Sequence, residues 1–134
     1  MSEPGNQLQA AAELAYAAVN AGDFDAFLAV VAEDVEFTSL VAEAEGATFR
    51  GHEGVRTWWD RIRGAFDEAR WEVLEIRVSG NRAVARVRIA GTMSGVPMEQ
   101  TMWQAIELRE GKASRWAFFR SEREALEATE SWPQ

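Results

Sequence analysis

The sequence has no cysteine, and it has only one histidine and three prolines among its 134 residues. The absence of cysteine excludes disulfides, a thiolate nucleophile and sulfur ligation of a metal. Because one histidine cannot hold a metal without several clustered carboxylates, we predict no metal. We also predict no cofactor. No apolar run approaches the roughly 18 residues that a membrane helix needs, and the first residues do not resemble a signal peptide. These absences predict a soluble, cytoplasmic protein.

Basic charge is also scarce, since 14 Lys and Arg stand against 22 Asp and Glu, for a formal net charge of −8. Negative charge repels phosphate backbones and anionic lipid surfaces, so we predict neither a nucleic-acid nor a membrane partner. The sequence is rich in large apolar side chains, with 47% hydrophobic residues, six Trp and seven Phe. This composition predicts one domain over 1–134, with a flexible start at 1–7 and a tail at 129–134.

The first 40 residues change their apolar period once. Apolar residues recur at helical spacing between Leu8 and Val19, and Gly22 and Asp23 supply a C-cap followed directly by an N-cap. A short second helix is therefore predicted to begin after Asp23. At Asp34 the apolar period changes from about 3.6 residues to 2, which indicates a strand.

Beyond residue 40 the pattern predicts a loop, a helix, a run of strands and a closing helix. Residues 41–50 follow neither period, whereas helical spacing returns from Gly51 and carries the adjacent Trp58 and Trp59. Four strands joined by turns follow within 70–120, before a capped helix ends the chain. This order predicts an α+β fold with helices packed on one face of a curved, mostly antiparallel sheet.

Five short motifs in this order resemble the SnoaL-like branch of the nuclear-transport-factor-2-like superfamily, which also includes the ketosteroid isomerases. The motifs are NAGDFD at 20–25, AEDV at 32–35, RGHEGV at 50–55, EGK at 110–112 and EAL at 124–126. The resemblance implies a cone, in which the N-terminal helices and the strongly curved sheet enclose an apolar cavity. It also implies a homodimer through the outer sheet face, where Trp103, Ala117 and Phe119 would lie.

The same resemblance implies that inward-facing side chains bind a small ligand in this cavity. The predicted ligand-pocket residues are Val35, Phe37, Ser39, Trp58, Trp59, Val87, Ile89, Met93, Met102, Gln104, Ile106, Trp116 and Phe118. Ser39 and Gln104 are the uncharged polar members of this set. A buried hydroxyl or amide needs a partner, so these two would orient a ligand as hydrogen-bond donors.

The catalytic residues of the related enzymes are not matched. Carrying the ketosteroid isomerase motif across places its carboxylate base at Ser39, its oxyanion-binding acid at Gln104 and its phenol donor at Ala15, one residue before Tyr16. A serine without an adjacent base cannot remove a carbon-bound proton. SnoaL-type polyketide cyclases need an inward Asp or Glu, and limonene epoxide hydrolases use an Asp-Arg-Asp set, of which only Arg120 is present here on an inward position.

The catalytic candidates that remain are Ser39, Gln104, Tyr16 and His52. Histidine is a residue type suited to proton transfer near neutral pH, but we expect His52 to be solvated at the start of the third helix. We expect the hydroxyl of Tyr16 to point to solvent. Glu43 and Glu45, in the predicted loop, would act as a base only if one of them folded inward and its pKa rose.

Three functions stay open at this point. The first is a domain that binds a small apolar ligand, aromatic, polycyclic or polyketide-like, without an identifiable catalytic base. The second is an isomerase, cyclase or dehydratase that uses an unidentified loop or pocket carboxylate. The third is a structural dimer with a filled core. The missing inward carboxylate favours binding over catalysis.

Overall fold

The structure, a computed structural model, describes residues 4–39, 47–65 and 69–132, which form four helices and six strands. The elements are α1 Pro4–Ala21, α2 Phe24–Ala29, β1 Val31–Ser39, β2 Ala47–Arg50, α3 Gly51–Ala65, β3 Ala69–Ser79, β4 Arg82–Met93, β5 Val96–Arg109, β6 Lys112–Phe119 and α4 Glu122–Ser131. None of these helices combines the length and the hydropathy of a membrane-spanning segment.

The six strands form one sheet in the order β2-β1-β6-β5-β4-β3. All neighbouring strands are antiparallel except β1 and β6, which are parallel. The register shifts in three of the pairs, β1 with β6, β3 with β4 and β5 with β6. Such irregularities bend the bulged strand and increase the local twist, which curves the sheet. The predicted α+β fold with a strongly curved, mostly antiparallel sheet is confirmed.

Several boundaries differ from the predictions. The first helix begins at Pro4, within the predicted flexible start, and α4 reaches Ser131, within the predicted tail. Residues 47–50 are a strand rather than a loop, because Phe49 pairs with Phe37 and turns inward. Four residues are too few to show a period of 2. Residues 40–46, including Glu43 and Glu45, lie outside the described residues.

The concave face of the sheet packs against α1, α2 and α3 through large aromatic side chains. Phe27, Phe37, Trp58, Trp116 and Phe118 are each at most 2% exposed. Their rings are in mutual contact, with centroids 4.5 Å apart for Phe37 and Trp58 and 6.1 Å apart for Phe37 and Trp116. The centre of the concave side is therefore a packed aromatic core.

The last helix, α4, covers part of the opposite, convex face of the sheet. Its buried Ala125 packs with Val84 and Ala105, and Trp103 and Phe119 pack against this cluster. Ser121 caps the helix by accepting a hydrogen bond from the Glu124 amide at 3.2 Å. The predicted dimer surface around Trp103 and Phe119 thus lies beside a helix of the same chain.

Candidate functional site

A cleft of about 430 Å³ opens between the C-terminal end of α1, the C-terminal half of α3 and the start of β3. This volume lies in the range of small-molecule sites, roughly 300–1,000 Å³. The residues that line the cleft are Val19, Asn20, Ala21, Gly22, Trp58, Trp59, Ile62, Arg63, Ala69 and Arg70. The segment that joins α3 to β3, residues 66–68, lies outside the described residues.

The end of α1 forms one wall because the chain turns sharply at Gly22. Gly22 has a φ of 72°, a conformation that favours glycine, and its amide donates to the Val19 carbonyl at 3.2 Å. Asp23 then caps α2 by accepting from the Ala26 amide at 3.1 Å. The predicted cap pair is therefore present, and it leaves the end of α1 facing α3.

Asn20 joins this wall to the start of β3. Its amide nitrogen donates to the Trp71 carbonyl at 2.9 Å, and its amide oxygen accepts from the Trp71 backbone N–H at 2.7 Å. Since β3 is an edge strand, Asn20 supplies the pair of bonds that a further strand would make. The end of α1 and the start of β3 are thus held at a fixed separation.

The apolar wall of the cleft is made by Trp58, Trp59 and Ile62 of α3, each at most 6% exposed. The Trp58 ring lies 4.5 Å from the Phe37 ring in the core, and the Trp59 ring lies 5.2 Å from the Phe24 ring. Trp58 and Trp59 thus pack against other rings as well as lining the cleft. They offer a pre-formed aromatic surface to whatever enters.

Two arginines from different elements line the same cleft. The guanidinium carbon of Arg63 lies 5.9 Å from the centroid of the Trp59 ring, and a Cβ added to Gly22 would lie 3.0 Å from its Nη1 atom. Arg70, the second residue of β3, follows Ala69 in the lining. Both side chains are exposed. The cleft therefore combines an aromatic wall with two cationic groups.

A second polar site lies within the packed core, at Gln104. Its side-chain oxygen accepts hydrogen bonds from the Tyr16 hydroxyl at 2.5 Å and from the Trp116 Nε1–H at 2.8 Å. An indole N–H can only donate, so Trp116 fixes which way the amide points. Gln104 is 0% exposed, and its Nε2 has no hydrogen-bond partner among the described residues. The site can donate hydrogen bonds, but it contains no base.

The prediction for Tyr16 is wrong: the side chain is 4% exposed and its hydroxyl points inward. Ala12, Ala15 and Val19 turn the same side of α1 toward the sheet, and Tyr16 shares that side. Burial raises the pKa of Tyr16 far above its ordinary value, so the phenol stays protonated as a donor. The one-residue offset from the phenol position of the isomerases did not indicate this, because adjacent helical residues can both face a curved sheet.

Among the candidates whose side chains the structure describes, His52 lies neither at Gln104 nor in the cleft lining. His52 is half-buried rather than solvated, and its Nε2–H donates to the Val31 carbonyl at 2.9 Å, which holds the start of α3 beside the start of β1. Ser39 is the last residue of β1 and pairs with Ala47, and its side chain is not among the described ones. Arg120 is exposed. A catalytic role for Ser39 stays a prediction.

Of the predicted pocket residues, Trp58 and Trp59 line the cleft. Nine others are buried on the concave face among each other and the helices: Val35, Phe37, Val87, Ile89, Met102, Gln104, Ile106, Trp116 and Phe118. Met93 is half-buried beside the β4–β5 turn. Contact of these residues with a ligand stays a prediction.

Sequence reasoning missed Asn20, Arg63 and Arg70 as lining residues. They lie at the ends of elements, where alternation and helical spacing do not say which way a side chain turns. The NAGDFD motif was the available signal, since it marks where α1 ends. Within the ranges that the structure describes, no three His, Asp or Glu side chains are grouped so that they could hold a metal ion.

Comparison with solved structures shows the same fold in proteins of different chemistry. TerC, co-crystallized with polyporic acid, is 22% identical over 93% of this chain and 99% of its own, with a TM-score of 0.77. An LEH-like epoxide hydrolase from M. tuberculosis is 15% identical over 95% and 87%, with a TM-score of 0.77. A Catenulispora acidiphila protein with a ketosteroid isomerase-like fold, in complex with trimethylamine, is 17% identical over 92% and 97%, with a TM-score of 0.74.

At these identities the likeness is one of fold. No curated protein matches the sequence. The family model of the SnoaL-like domain matches residues 12–116, which include α2, α3 and the whole of β1 to β5. The resemblance predicted from the motifs is confirmed, and the chain belongs to the SnoaL-like domain family.

Proposed function

We propose that this SnoaL-like domain binds a small, mainly apolar molecule with an aromatic, polycyclic or polyketide-like frame in the cleft between α1, α3 and β3. The observation that carries the proposal is the pair of tryptophans, Trp58 and Trp59, in a cleft of about 430 Å³. Indole rings stack on flat apolar frames and bury much of their surface. The co-crystallization of TerC with polyporic acid supports a small organic ligand for this fold.

Binding is favoured over acid–base catalysis by the side chains that line the cleft. Its described lining contains no Asp, Glu or His. At Gln104, where the related isomerases keep an acid, an amide is held in one orientation by Trp116. An isomerase, cyclase or dehydratase would need a carboxylate from elsewhere, such as Glu43 or Glu45, and stays the alternative.

The predicted role of Gln104 as a ligand-orienting donor is kept as part of the proposal. Contacts run inward from the cleft, from Trp58 to Trp71 with ring centroids 5.7 Å apart, and from Trp71 to Tyr16 at 6.0 Å. Tyr16 in turn donates to Gln104. Because these rings are in contact, the Nε2–H groups of Gln104 would donate to a ligand oxygen only after Trp58 and Trp71 had moved, so this role is a proposal separate from binding at the cleft wall.

A homodimer through the outer sheet face is also proposed, with Trp103 and Phe119 at its edge. Because both side chains already pack beside α4, the dimer would bury the part of this face that α4 leaves uncovered. Size-exclusion chromatography with light scattering tests this directly. A dimer mass is expected, and a monomer at micromolar concentration would contradict it.

The binding proposal is tested with N-phenyl-1-naphthylamine, an uncharged aromatic probe whose fluorescence rises in apolar surroundings. Trp59→Leu removes a ring from the cleft wall, and Phe24→Leu is the matched control, because Phe24 packs behind Trp59 and does not line the cleft. We expect Trp59→Leu to weaken probe binding about tenfold and Phe24→Leu to change it less than twofold. Equal effects in the two variants, or no binding by the unmodified chain, would refute the proposal.

A further inference from the structure

We infer that the cleft selects aromatic organic anions, holding a carboxylate or a similar acidic group between the guanidinium groups of Arg63 and Arg70. This inference rests on the proposed function, and it adds the charge of the ligand. Guanidinium groups bind carboxylates and other oxyanions through paired, charge-assisted hydrogen bonds, which are stronger than those to a neutral acceptor.

Arg63 lies beside the Trp59 ring and the backbone of Gly22, in the lining of the cleft. It follows Trp59 by four residues in α3, so the two side chains lie on the same side of the helix. Its guanidinium lies near the Trp59 ring and so close to Gly22 that a Cβ there would be 3.0 Å from Nη1. The missing side chain of Gly22 provides the space in which this guanidinium lies.

Arg70 is brought to the same cleft by Asn20. The two hydrogen bonds between Asn20 and the backbone of Trp71 fix the start of β3 against the end of α1. Arg70 is the residue immediately before Trp71, so these bonds also fix where its backbone lies. Two cations from separate parts of the chain therefore line one concave surface.

Neither arginine is neutralised by a carboxylate within the described parts of the chain. The ion pairs found there use six other arginines, Arg50, Arg77, Arg82, Arg88, Arg109 and Arg123. This is notable in a chain with a formal net charge of −8, where acids outnumber bases. Two cations without a carboxylate partner among the described residues would raise the local concentration of anions in this concavity.

A structural role for Arg63 competes with this inference. The C-terminal end of α1 carries partial negative charge, which a nearby cation offsets. That role would not involve Arg70, and it would appear in stability rather than in ligand choice. Pairing with Asp67 or Glu68 is a second alternative to anion binding. These two acidic residues lie between Arg63 and Arg70 in the sequence, within 66–68, outside the described residues.

The test compares two probes that differ only in a sulfonate. The anionic probe is 8-anilinonaphthalene-1-sulfonate, and the uncharged one is N-phenyl-1-naphthylamine. We expect the double variant Arg63→Gln/Arg70→Gln to weaken binding of the sulfonate about tenfold and to change binding of the uncharged probe less than twofold. Arg56→Gln is the matched control, because Arg56 is an exposed arginine of α3 that packs over Phe24 and does not line the cleft. It should alter neither affinity.

Salt and the single variants separate the explanations. Raising the salt concentration should weaken sulfonate binding in the unmodified chain and much less in the double variant. Arg70→Gln alone should weaken it several-fold without changing the urea midpoint. If the double variant weakened both probes equally, or neither, anion selection would be refuted, while the Trp59→Leu result would still decide whether the cleft binds aromatic molecules. A more than tenfold gain in sulfonate affinity in Asp67→Asn/Glu68→Gln would also refute anion selection. It would show that these two carboxylates form ion pairs with the arginines in the unmodified chain.

Discussion

Two regions on the same side of the sheet have opposite character. Around Gln104 the side chains of Tyr16, Trp116 and their neighbours are buried and in contact. The side-chain oxygen of Gln104 accepts two hydrogen bonds there. Around Trp59, the C-terminal end of α1, the second half of α3 and the start of β3 leave a cleft with exposed cations. The first region is built from residues in the middle of helices and strands, and the second from residues near their ends. The proposed ligand site therefore lies at the edge of the packed core, whereas the sequence had predicted it inside.

The largest expected effect concerns Trp58, which belongs to both regions. Trp58→Ala should lower the free energy of unfolding by about 3–5 kcal/mol, because this side chain is 2% exposed and contacts several rings of the core. Urea unfolding measures the change. Trp132→Ala, at the half-buried C-cap of α4, is the control and should have a smaller effect. A loss below about 1 kcal/mol in Trp58→Ala would mean that the core is loosely packed.

The next prediction concerns the amide in the packed region. Gln104→Leu should lower the free energy of unfolding by about 2 kcal/mol, because it leaves the Tyr16 hydroxyl and the Trp116 N–H buried without an acceptor. Tyr16→Phe removes only one of these donors and should lower it by about 1 kcal/mol. The same urea titrations measure both. If Gln104→Leu were neutral, Gln104 would not be the acceptor that holds the two donors.

Tyr16 also predicts how stability depends on pH. Its pKa is raised by burial in the folded chain, whereas the unfolded chain has an ordinary value near 10. Below about pH 10 both states hold the proton and this group contributes no pH dependence. Above it the unfolded state loses the proton first, so the free energy of unfolding should fall by about 1.4 kcal/mol per pH unit.

This pH dependence is directly measurable because Tyr16 is the one tyrosine in the sequence. Phenolate absorbance should stay absent from the folded protein at alkaline pH and appear together with unfolding. Tyr16→Phe should flatten the fall in stability. Phenolate formation in the folded state near the ordinary pKa would show that the hydroxyl is accessible to solvent, as the sequence had suggested.

The smallest expected effect concerns the edge of the cleft. Asn20→Ala should lower the free energy of unfolding by about 1 kcal/mol, because Trp71 loses two backbone partners at an edge where water can replace them. Hydrogen exchange of the Trp71 amide should become faster, while that of Phe37 in the sheet interior should not. Unchanged exchange at Trp71 would mean that Asn20 does not hold the start of β3.

The difference between the two regions also explains which side-chain positions could be predicted from the sequence. Phe37, Gln104 and Trp116 face inward as predicted, because alternation assigns a face to each residue in the middle of a strand. The hydroxyl of Tyr16 was not predicted to do so, because its direction depends on an acceptor 88 positions away in the chain. The cleft was missed because its shape depends on where α1 stops and how Asn20 fixes β3. A local apolar period does not predict the distance between the end of α1 and the start of β3.

The central claim, that the cleft binds aromatic molecules, is tested most directly by nuclear magnetic resonance of the indole N–H signals during titration with 8-anilinonaphthalene-1-sulfonate. The six tryptophans give six such signals, and they are distributed between the cleft, the core and the outer face of the sheet. Saturable shifts confined to Trp58, Trp59 and their neighbour Trp71 are expected. Shifts at Trp103 and Trp132, or no saturable shift at all, would contradict the claim.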